Sequence, residues 1–342
     1  MDMCTLLAWR ATNQENYRDV CRELRSSLER LLRDFVPSPA ELLSLLTRNR
    51  ALLSGELAVC YILRDAALSP QSLDIFVGSV WFDNFIDSFG TSPQLSGYQV
   101  RWSMIDHEQP RVASRHVATS LQLSLSTGRL LAIHAAASPS ACHAIACSPS
   151  SLGTTFITEF SFATAYPRLI FSRRAIVSWS ALAECSDLEL DMYQRLEDAG
   201  FSLEEDPVAW NEYSGESDSH VQSSPLECLR SQYLCPQQGR YFGDDGSMVC
   251  FMDPLNTDFS RLKEKCIPPY GVMAVWRLPS RVFCDARCDE YDDILAPGVM
   301  ATSIMFEDET FKANDEQRLT RGACLGHGAS LGLRGRGRSM TL

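Results

Sequence analysis

Apolar residues recur at helical spacing along the first part of the chain. Over residues 17–35 they occupy one face while Arg and Glu occupy the other, which predicts an amphipathic helix. Pro37 and Pro39 end this helix, and residues 40–47 carry a second helical pattern. Three shorter elements are predicted next: an apolar strand at 51–53, a turn at Ser54-Gly55 and a mostly buried helix from Glu56 to near Asp65.

Extended segments then alternate with helical ones. Residues 73–77 are β-branched and aromatic, and residues 121–125 alternate apolar with polar positions before a Ser126-Thr127-Gly128 turn. Helices are predicted at 81–89 and at 175–199, the second closed by Gly200. We expect one mixed sheet from the strands at 51–53, 73–77, 98–104, 121–125 and 130–134.

This alternation favours an α/β or α+β fold, with a mixed sheet flanked by helices and a less regular C-terminal half. The helix after Gly55 is expected to pack on the sheet, with Val59, Ile62 and Leu63 buried against Ile75 and Val77. Four regions are predicted: an N-terminal helical segment at 1–39, the sheet domain at 40–180, an acidic, cysteine-containing region at 181–317, and a disordered Gly/Arg tail at 318–342.

Charge and cysteine content narrow the function classes. The chain has 342 residues, and its 31 basic and 43 acidic residues give a net charge of −12, which argues against a broad nucleic-acid-binding surface. Its thirteen cysteines and the lack of a secretory pattern at the start favour a reducing compartment, cytoplasmic or nuclear. Residues 130–147 make a poor membrane span, so no membrane partner is expected. The run Arg334-Gly335-Arg336-Gly337-Arg338 could contact RNA, but such a tail is usually only solvated.

One segment carries a pattern that suits phosphate chemistry. Leu53-Ser54-Gly55-Glu56 is followed, after fifteen residues, by Ser72-Leu73-Asp74-Ile75, which gives a strand, a glycine turn, a helix and an acidic second strand. Gly55 would let the turn approach a phosphate, and the helix would point free N–H groups at it. Asp74 would then hold Mg²⁺, which prefers carboxylate and phosphate oxygens. The ordinary interpretations are a strand-to-helix turn at Gly55, a hydrogen-bonded strand-end acid at Asp74 and a capping Ser72.

These residues resemble a known family. The segments 54–58 and 72–77 are similar to the nucleotidyltransferase-like domain of a large group of uncharacterised fungal (basidiomycete-type) proteins. The resemblance covers residues 40–175 and continues more faintly through Tyr193-Gln194-Arg195, Gly200-Phe201, Cys235-Pro236, Arg240 and Asp244. It implies a Gly-Ser pair before an apolar helix, an Asp-hydrophobic-Asp strand, and transfer of nucleotides with two metal ions held by two or three carboxylates.

The chain departs from this family pattern at its most important positions. Glu56 replaces the phosphate-binding Ser, and Ser72 replaces the first acid, which leaves Asp74 alone on its strand. The neighbouring strand that should carry a third acid offers Ala132-Ile133-His134. One Asp cannot readily bridge two metal ions. A bare Glu56 carboxylate about 5 Å from a phosphate charge would repel it by roughly 3 kcal/mol at an effective dielectric of 20. A Glu56–Asp74 pair holding a single metal ion remains a further alternative.

Other candidate centres are less well formed. Cys284 and Cys288 approach a zinc-knuckle spacing but are surrounded by acidic residues. Cys142-His143 and Cys147, with His134 nearby, form a second zinc candidate. Buried reduced thiols are the alternative for both groups. No serine or cysteine nucleophile stands out.

Three functional hypotheses follow. The first, which we prefer, is a nucleotidyltransferase-fold protein with a decayed site, in which Asp74 and Ser72 are vestigial catalytic positions and Gly55 and Glu56 vestigial phosphate-binding ones. It expects no cofactor, weak or no nucleotide binding and an unknown protein partner. The second is a divergent Mg²⁺-dependent nucleotidyltransferase. The third is an α/β interaction protein unrelated to nucleotides, and it differs from the first two because the family fold requires the strands at 51–53 and 73–77 to lie side by side.

Overall fold

The structure is a computed structural model, and it describes residues 1–92, 95, 101–105, 116–178, 187–213, 229–235, 238–255 and 275–276. The helices are α1 (Met3–Arg10), α2 (Gln14–Leu32), α3 (Pro39–Arg48), α4 (Gly55–Leu63), α5 (Phe82–Thr91), α6 (Ala141–Ala146), α7 (Pro167–Phe171) and α8 (Asp187–Asp198). The strands are β1 (Leu52–Ser54), β2 (Ser72–Val77), β3 (Arg101–Ile105), β4 (Val117–Ser124), β5 (Leu130–Ala136), β6 (Thr155–Ile157), β7 (Ser161–Thr164), β8 (Arg174–Ile176), β9 (Ser202–Glu204), β10 (Arg240–Tyr241), β11 (Met248–Phe251) and β12 (Val275–Trp276).

Eight strands form one mixed sheet in the order β11-β7-β6-β1-β2-β5-β4-β3. The five strands predicted to share a sheet all lie in it, so that prediction is confirmed. Strand β1 pairs antiparallel with β2, and β2 pairs parallel with β5. The other neighbouring strands of this sheet pair antiparallel. The fold is therefore mixed α/β, with helices packed on the sheet.

Side chains of the central strands are buried on both faces of the sheet, and each face forms its own hydrophobic core. Neighbours such as Leu52 and Leu53, or Phe156 and Ile157, are buried on opposite faces because successive side chains of a strand point in opposite directions. One face packs against α1 to α5, and the other against α6, α7 and the aromatic residues of the later segments. Both faces are covered, so a side chain near the centre of the sheet must find its polar partners within the protein.

Helix α4 packs on the sheet as the sequence predicts, with one difference. Val59 and Ile62 are fully buried in the same core as Ile75 and Val77. Leu63 is only half-buried, because it is the last residue of the helix and Arg64 turns the chain away in a left-handed conformation.

The predicted helix at 175–199 is only partly right. Residues Arg174–Ile176 form a strand that pairs in parallel with Ser202–Glu204, and the helix begins at Asp187. Gly200 closes the helix as predicted, with a φ of +88° and the next N–H bonded back to the Leu196 carbonyl. Helix α1 lies within the predicted N-terminal helical segment, but no separate helix was predicted before residue 17.

Several sequence predictions lie outside the described residues: Cys284, Cys288 and the Gly/Arg tail. No helix in the part of the chain that the structure describes is both long and apolar enough to cross a membrane. The seven cysteines in the same part form no disulfide.

Candidate functional site

The Gly55 turn and Asp74 meet where β1 and β2 run side by side. Ser54, the last residue of β1, is directly opposite Asp74. Gly55 has a φ of +70°, and a Cβ atom at this residue would lie 2.3 Å from Oδ2 of Asp74. The glycine is therefore needed both for its backbone conformation and for space. The group that approaches the turn in this structure is the Asp74 carboxylate.

The Asp74 carboxylate has a partner on each side. The hydroxyl of Ser72 donates to Oδ2 at 2.9 Å, and Nε2 of His134 lies 3.4 Å from Oδ1. The side chains of Asp74 and His134 are 17% and 18% exposed, so water reaches this site only partly. Ser72, where the resemblance leads one to expect an acid, thus acts as a hydrogen-bond donor to Asp74.

His134 stands on β5, the strand that pairs with β2 on the other side from β1. Strand β5 lies parallel to β2 with His134 beside Phe76, and the two rings stack with centroids 4.7 Å apart. On the other side, Nδ1 of His134 lies 2.8 Å from the hydroxyl of Ser120 on β4. Hydrogen bonding thus runs across three strands, from Ser72 through Asp74 and His134 to Ser120.

The order Ser120–His134–Asp74 resembles the order of groups in a nucleophilic serine centre, but its geometry does not suit that role. Ser120 is only 4% exposed, so its hydroxyl is closed to a substrate. The contact between His134 and Asp74 is also long, at 3.4 Å. These hydrogen bonds instead give the polar side chains on a covered face of the sheet partners within the protein.

Glu56 faces another charge. Its carboxylate, in a residue only 3% exposed, accepts from Nε of Arg195 at 3.2 Å and from Nη2 at 3.0 Å. The backbone N–H of Gln71, just before β2, donates to it at 2.8 Å. The repulsion estimated for a bare carboxylate is therefore reduced, because Arg195 supplies the opposite charge. The same contacts engage both oxygens of Glu56, which leaves little for a metal shared with Asp74.

The hydroxyl of Ser54, the other serine beside the turn, does not point to a place where a phosphate could bind. Its hydroxyl is buried and lies 2.6 Å from the Thr155 carbonyl and 3.3 Å from the Gly153 carbonyl. Both contacts tie β1 to the segment that leads into β6.

Among the residues that the structure describes, Asp74 belongs to no group of three or more metal-ligating side chains.

The four residues of the predicted zinc group, Cys142, His143, Cys147 and His134, do not all lie together in the structure. His143 and Cys147 lie together, with Sγ 4.0 Å from Nδ1. Cys142 is buried in the second core, and His134 belongs to the Asp74 network.

Three partners of the site were not assigned from the sequence. Arg195 is 139 residues from Glu56, and Ser120 and His134 reach Asp74 only through strand pairing. Two of them had a signal, because the resemblance continues faintly through Arg195 and His134 lies on the strand expected beside Asp74.

Arg240 and Asp244, which the same faint continuation names, form a buried ion pair at 2.6 Å. The Arg240 guanidinium also lies over the Tyr166 ring.

Comparison with protein-family models, with curated proteins and with solved structures found no match to this chain.

Proposed function

We propose that this chain is a nucleotidyltransferase-like protein that does not catalyse nucleotidyl transfer and acts as a binding or scaffold module. The layout supports the family part of the proposal. A strand, a glycine turn and a helix precede an antiparallel second strand with a central Asp, and a third strand lies parallel to it. The family fold requires β1 and β2 to pair side by side, and they do, although consecutive strands also pair in many unrelated folds.

The contacts of Asp74 support the proposal that the protein does not catalyse nucleotidyl transfer. Two-metal transfer needs bridging carboxylates that hold the ions about 3.5–4 Å apart. Asp74 instead takes a hydrogen bond from Ser72 and lies beside His134, and its carboxylate packs on the turn that a phosphate would approach. Mg²⁺ gives up its waters reluctantly, so a single, already bonded carboxylate is a poor site for it.

The direct test is nucleotidyl transfer by the full chain. Labelled ATP, GTP, CTP and UTP would each be incubated with the protein in Mg²⁺ and in Mn²⁺, beside an Asp74→Ala variant. We expect no transfer above the level of the variant. Transfer by the unmodified protein that Asp74→Ala abolishes would overturn the proposal in favour of a divergent metal-dependent enzyme.

A restored variant separates a decayed site from an unrelated fold. Ser72 lies 2.9 Å from Asp74, so Ser72→Asp with His134→Asp would place three carboxylates on two neighbouring strands. If the layout is of the nucleotidyltransferase type, this variant gains Mg²⁺-dependent nucleotide affinity. Glu56→Ser, which the sequence alone suggests, should be combined with Arg195→Gln because it otherwise leaves the guanidinium without its carboxylate partner. No gain in either restored protein would favour an interaction protein unrelated to nucleotides.

A further inference from the structure

Three metal-ligating side chains converge beyond the ends of β4 and β5. His116 immediately precedes β4, and His143 and Cys147 lie on α6 and at its C-terminal end. One ligand atom from each residue lies within 4.8 Å of the other two, and Sγ of Cys147 is 4.0 Å from Nδ1 of His143. The rings of His116 and His143 meet edge to face with centroids 5.4 Å apart.

The short helix α6 presents two of these groups together. His143 and Cys147 are four residues apart, so they project from the same side of a helix. The other residues from Ala141 to Ala146 are buried, all but Ala144 in the second core, whereas His143 and Cys147 are half-buried. Packing thus fixes the helix and leaves these two side chains at its open face.

Backbone hydrogen bonds hold the segment that carries His116, the third ligand residue, near helix α6. The N–H of Ala137 donates to the His116 carbonyl at 2.9 Å, and the chain from Ala137 leads directly into α6. This connection is clamped against the end of β2, because Ser79 donates to the Ser138 carbonyl at 2.9 Å. Gly78 allows the close approach, since a Cβ there would lie 1.9 Å from the Pro139 carbonyl oxygen. The ligand-bearing segments are therefore held in place by hydrogen bonds and close packing with their neighbours.

We propose that His116, His143 and Cys147 form a binding site for a zinc-type divalent ion. Zinc–sulfur bonds of about 2.3 Å and zinc–nitrogen bonds of about 2.0–2.1 Å put tetrahedral ligand atoms about 3.3–3.6 Å apart. The three groups must therefore close by on the order of 1 Å, which side-chain rotation supplies. Two imidazoles and a thiolate are the ligands of borderline-soft ions, whereas Mg²⁺ and Ca²⁺ take oxygen. Three protein ligands leave a fourth position for water or for a group from a ligand.

The geometry disfavours a cysteine nucleophile at this cluster. The 4.0 Å separation between Sγ of Cys147 and Nδ1 of His143 is too long for efficient proton transfer to the ring. Burial raises the pKa of the Cys147 thiol to about 12, so a metal ion must displace this proton in order to bind the sulfur.

Cobalt titration of the full chain tests this site. The protein would be reduced, stripped with a chelator and titrated with Co²⁺, which reports thiolate ligation by a charge-transfer band and tetrahedral geometry by its visible spectrum. We expect one equivalent to give both signals and Zn²⁺ to displace it. Cys147→Ser should abolish the charge-transfer band, and His116→Gln or His143→Gln should weaken Co²⁺ binding at least about tenfold, since even outer-shell changes cost ~10–100-fold.

Matched control variants show whether the Co²⁺ signal comes from His116, His143 and Cys147. Cys142→Ala removes a neighbouring thiol outside the group, and the paired change Cys284→Ser with Cys288→Ser removes the other predicted zinc candidate; both proteins should retain the full signal. Circular dichroism of the metal-free forms checks folding, and His116→Gln serves as the decisive variant if Cys147→Ser does not fold. Absence of Co²⁺ and Zn²⁺ binding, or a band that survives Cys147→Ser, would overturn the proposal.

Discussion

At Asp74 each carboxylate oxygen has a side-chain neighbour: the Ser72 hydroxyl at Oδ2 and the His134 ring at Oδ1. The Gly55 backbone packs against the same carboxylate and leaves no room for a Cβ atom. These contacts explain how a lone acid is kept on a central strand. Part of the acceptor capacity that a metal ion would use is thus engaged inside the sheet.

The first prediction concerns Gly55. Gly55→Ala adds a Cβ 2.3 Å from Oδ2 of Asp74 at a φ of +70°. We expect a loss of about 2–4 kcal/mol in the free energy of unfolding, from left-handed strain of ~1–2 kcal/mol plus overpacking. Gly128→Ala is the matched control, because Gly128 has a φ of +80° and nothing near its Cβ position. Urea unfolding that shows equal losses for the two variants would contradict the close packing of Asp74 on the turn.

The second prediction places a second carboxylate beside Asp74. Ser72→Asp should lower the melting temperature without Mg²⁺, because two carboxylates about 3 Å apart cannot both ionise easily. Added Mg²⁺ should then raise the melting temperature of the variant, since an ion that binds only the folded state stabilises it. Ser72→Asn keeps the shape without the charge and should not respond to Mg²⁺. A melting temperature of Ser72→Asp that Mg²⁺ leaves unchanged would argue against a vestigial metal site.

The third prediction concerns the Glu56–Arg195 pair. Arg195→Ala leaves the Glu56 carboxylate without its counter-charge, and we expect a loss of about 2 kcal/mol, below the fully buried range because Arg195 is 33% exposed. Adding Glu56→Gln to that variant should recover at least about 1 kcal/mol, because a neutral amide needs no counter-charge. In the unmodified protein the same Glu56→Gln change should destabilise. Equal effects of Glu56→Gln in both backgrounds, measured by urea unfolding, would show that the pair is not coupled.

At the scale of elements, the pattern of apolar positions is sufficient to predict β1, α4, β2, β4 and β5. It is not sufficient to predict the elements that follow α7. Periods of two and of 3.6 residues are clear where one face of an element meets a core. Residues 174–176 are a three-residue strand, too short to show a period, and they pair with a strand 28 residues further along the chain. Such pairings depend on tertiary contacts, which a local pattern does not contain.

The fourth prediction tests the packing of α4 on the sheet. Ile62 is fully buried, whereas Leu63 is the half-buried last residue of the helix. Ile62→Ala should cost about 3 kcal/mol of unfolding free energy, and Leu63→Ala about 1 kcal/mol, because a cavity forms only at the enclosed position. Equal costs by urea unfolding would contradict the half-buried position of Leu63 at the end of the helix.

At the scale of the whole molecule, the sequence was enough to predict that five strands share one mixed sheet, because the apolar positions mark each strand. It also placed Gly55 and Asp74 in one layout, but with a phosphate and Mg²⁺ there and not with the Asp74 carboxylate packed on Gly55. The partners of the site could not be predicted in the same way. Arg195 reaches Glu56 from helix α8, and His116 joins His143 and Cys147 through strand β5 and the clamped turn after it. Each of these meetings is decided by the packing of distant segments, and a single sequence shows residue types without showing which of them meet.

We propose that the Asp74 site does not support Mg²⁺-dependent binding of nucleotide. The decisive measurement is isothermal titration of the full chain with ATP, GTP, CTP and UTP, each with and without Mg²⁺. We expect weak or no binding that Mg²⁺ does not strengthen and that Asp74→Ala does not change. Tight binding of any nucleotide that requires Mg²⁺ and is lost in Asp74→Ala would overturn the proposal.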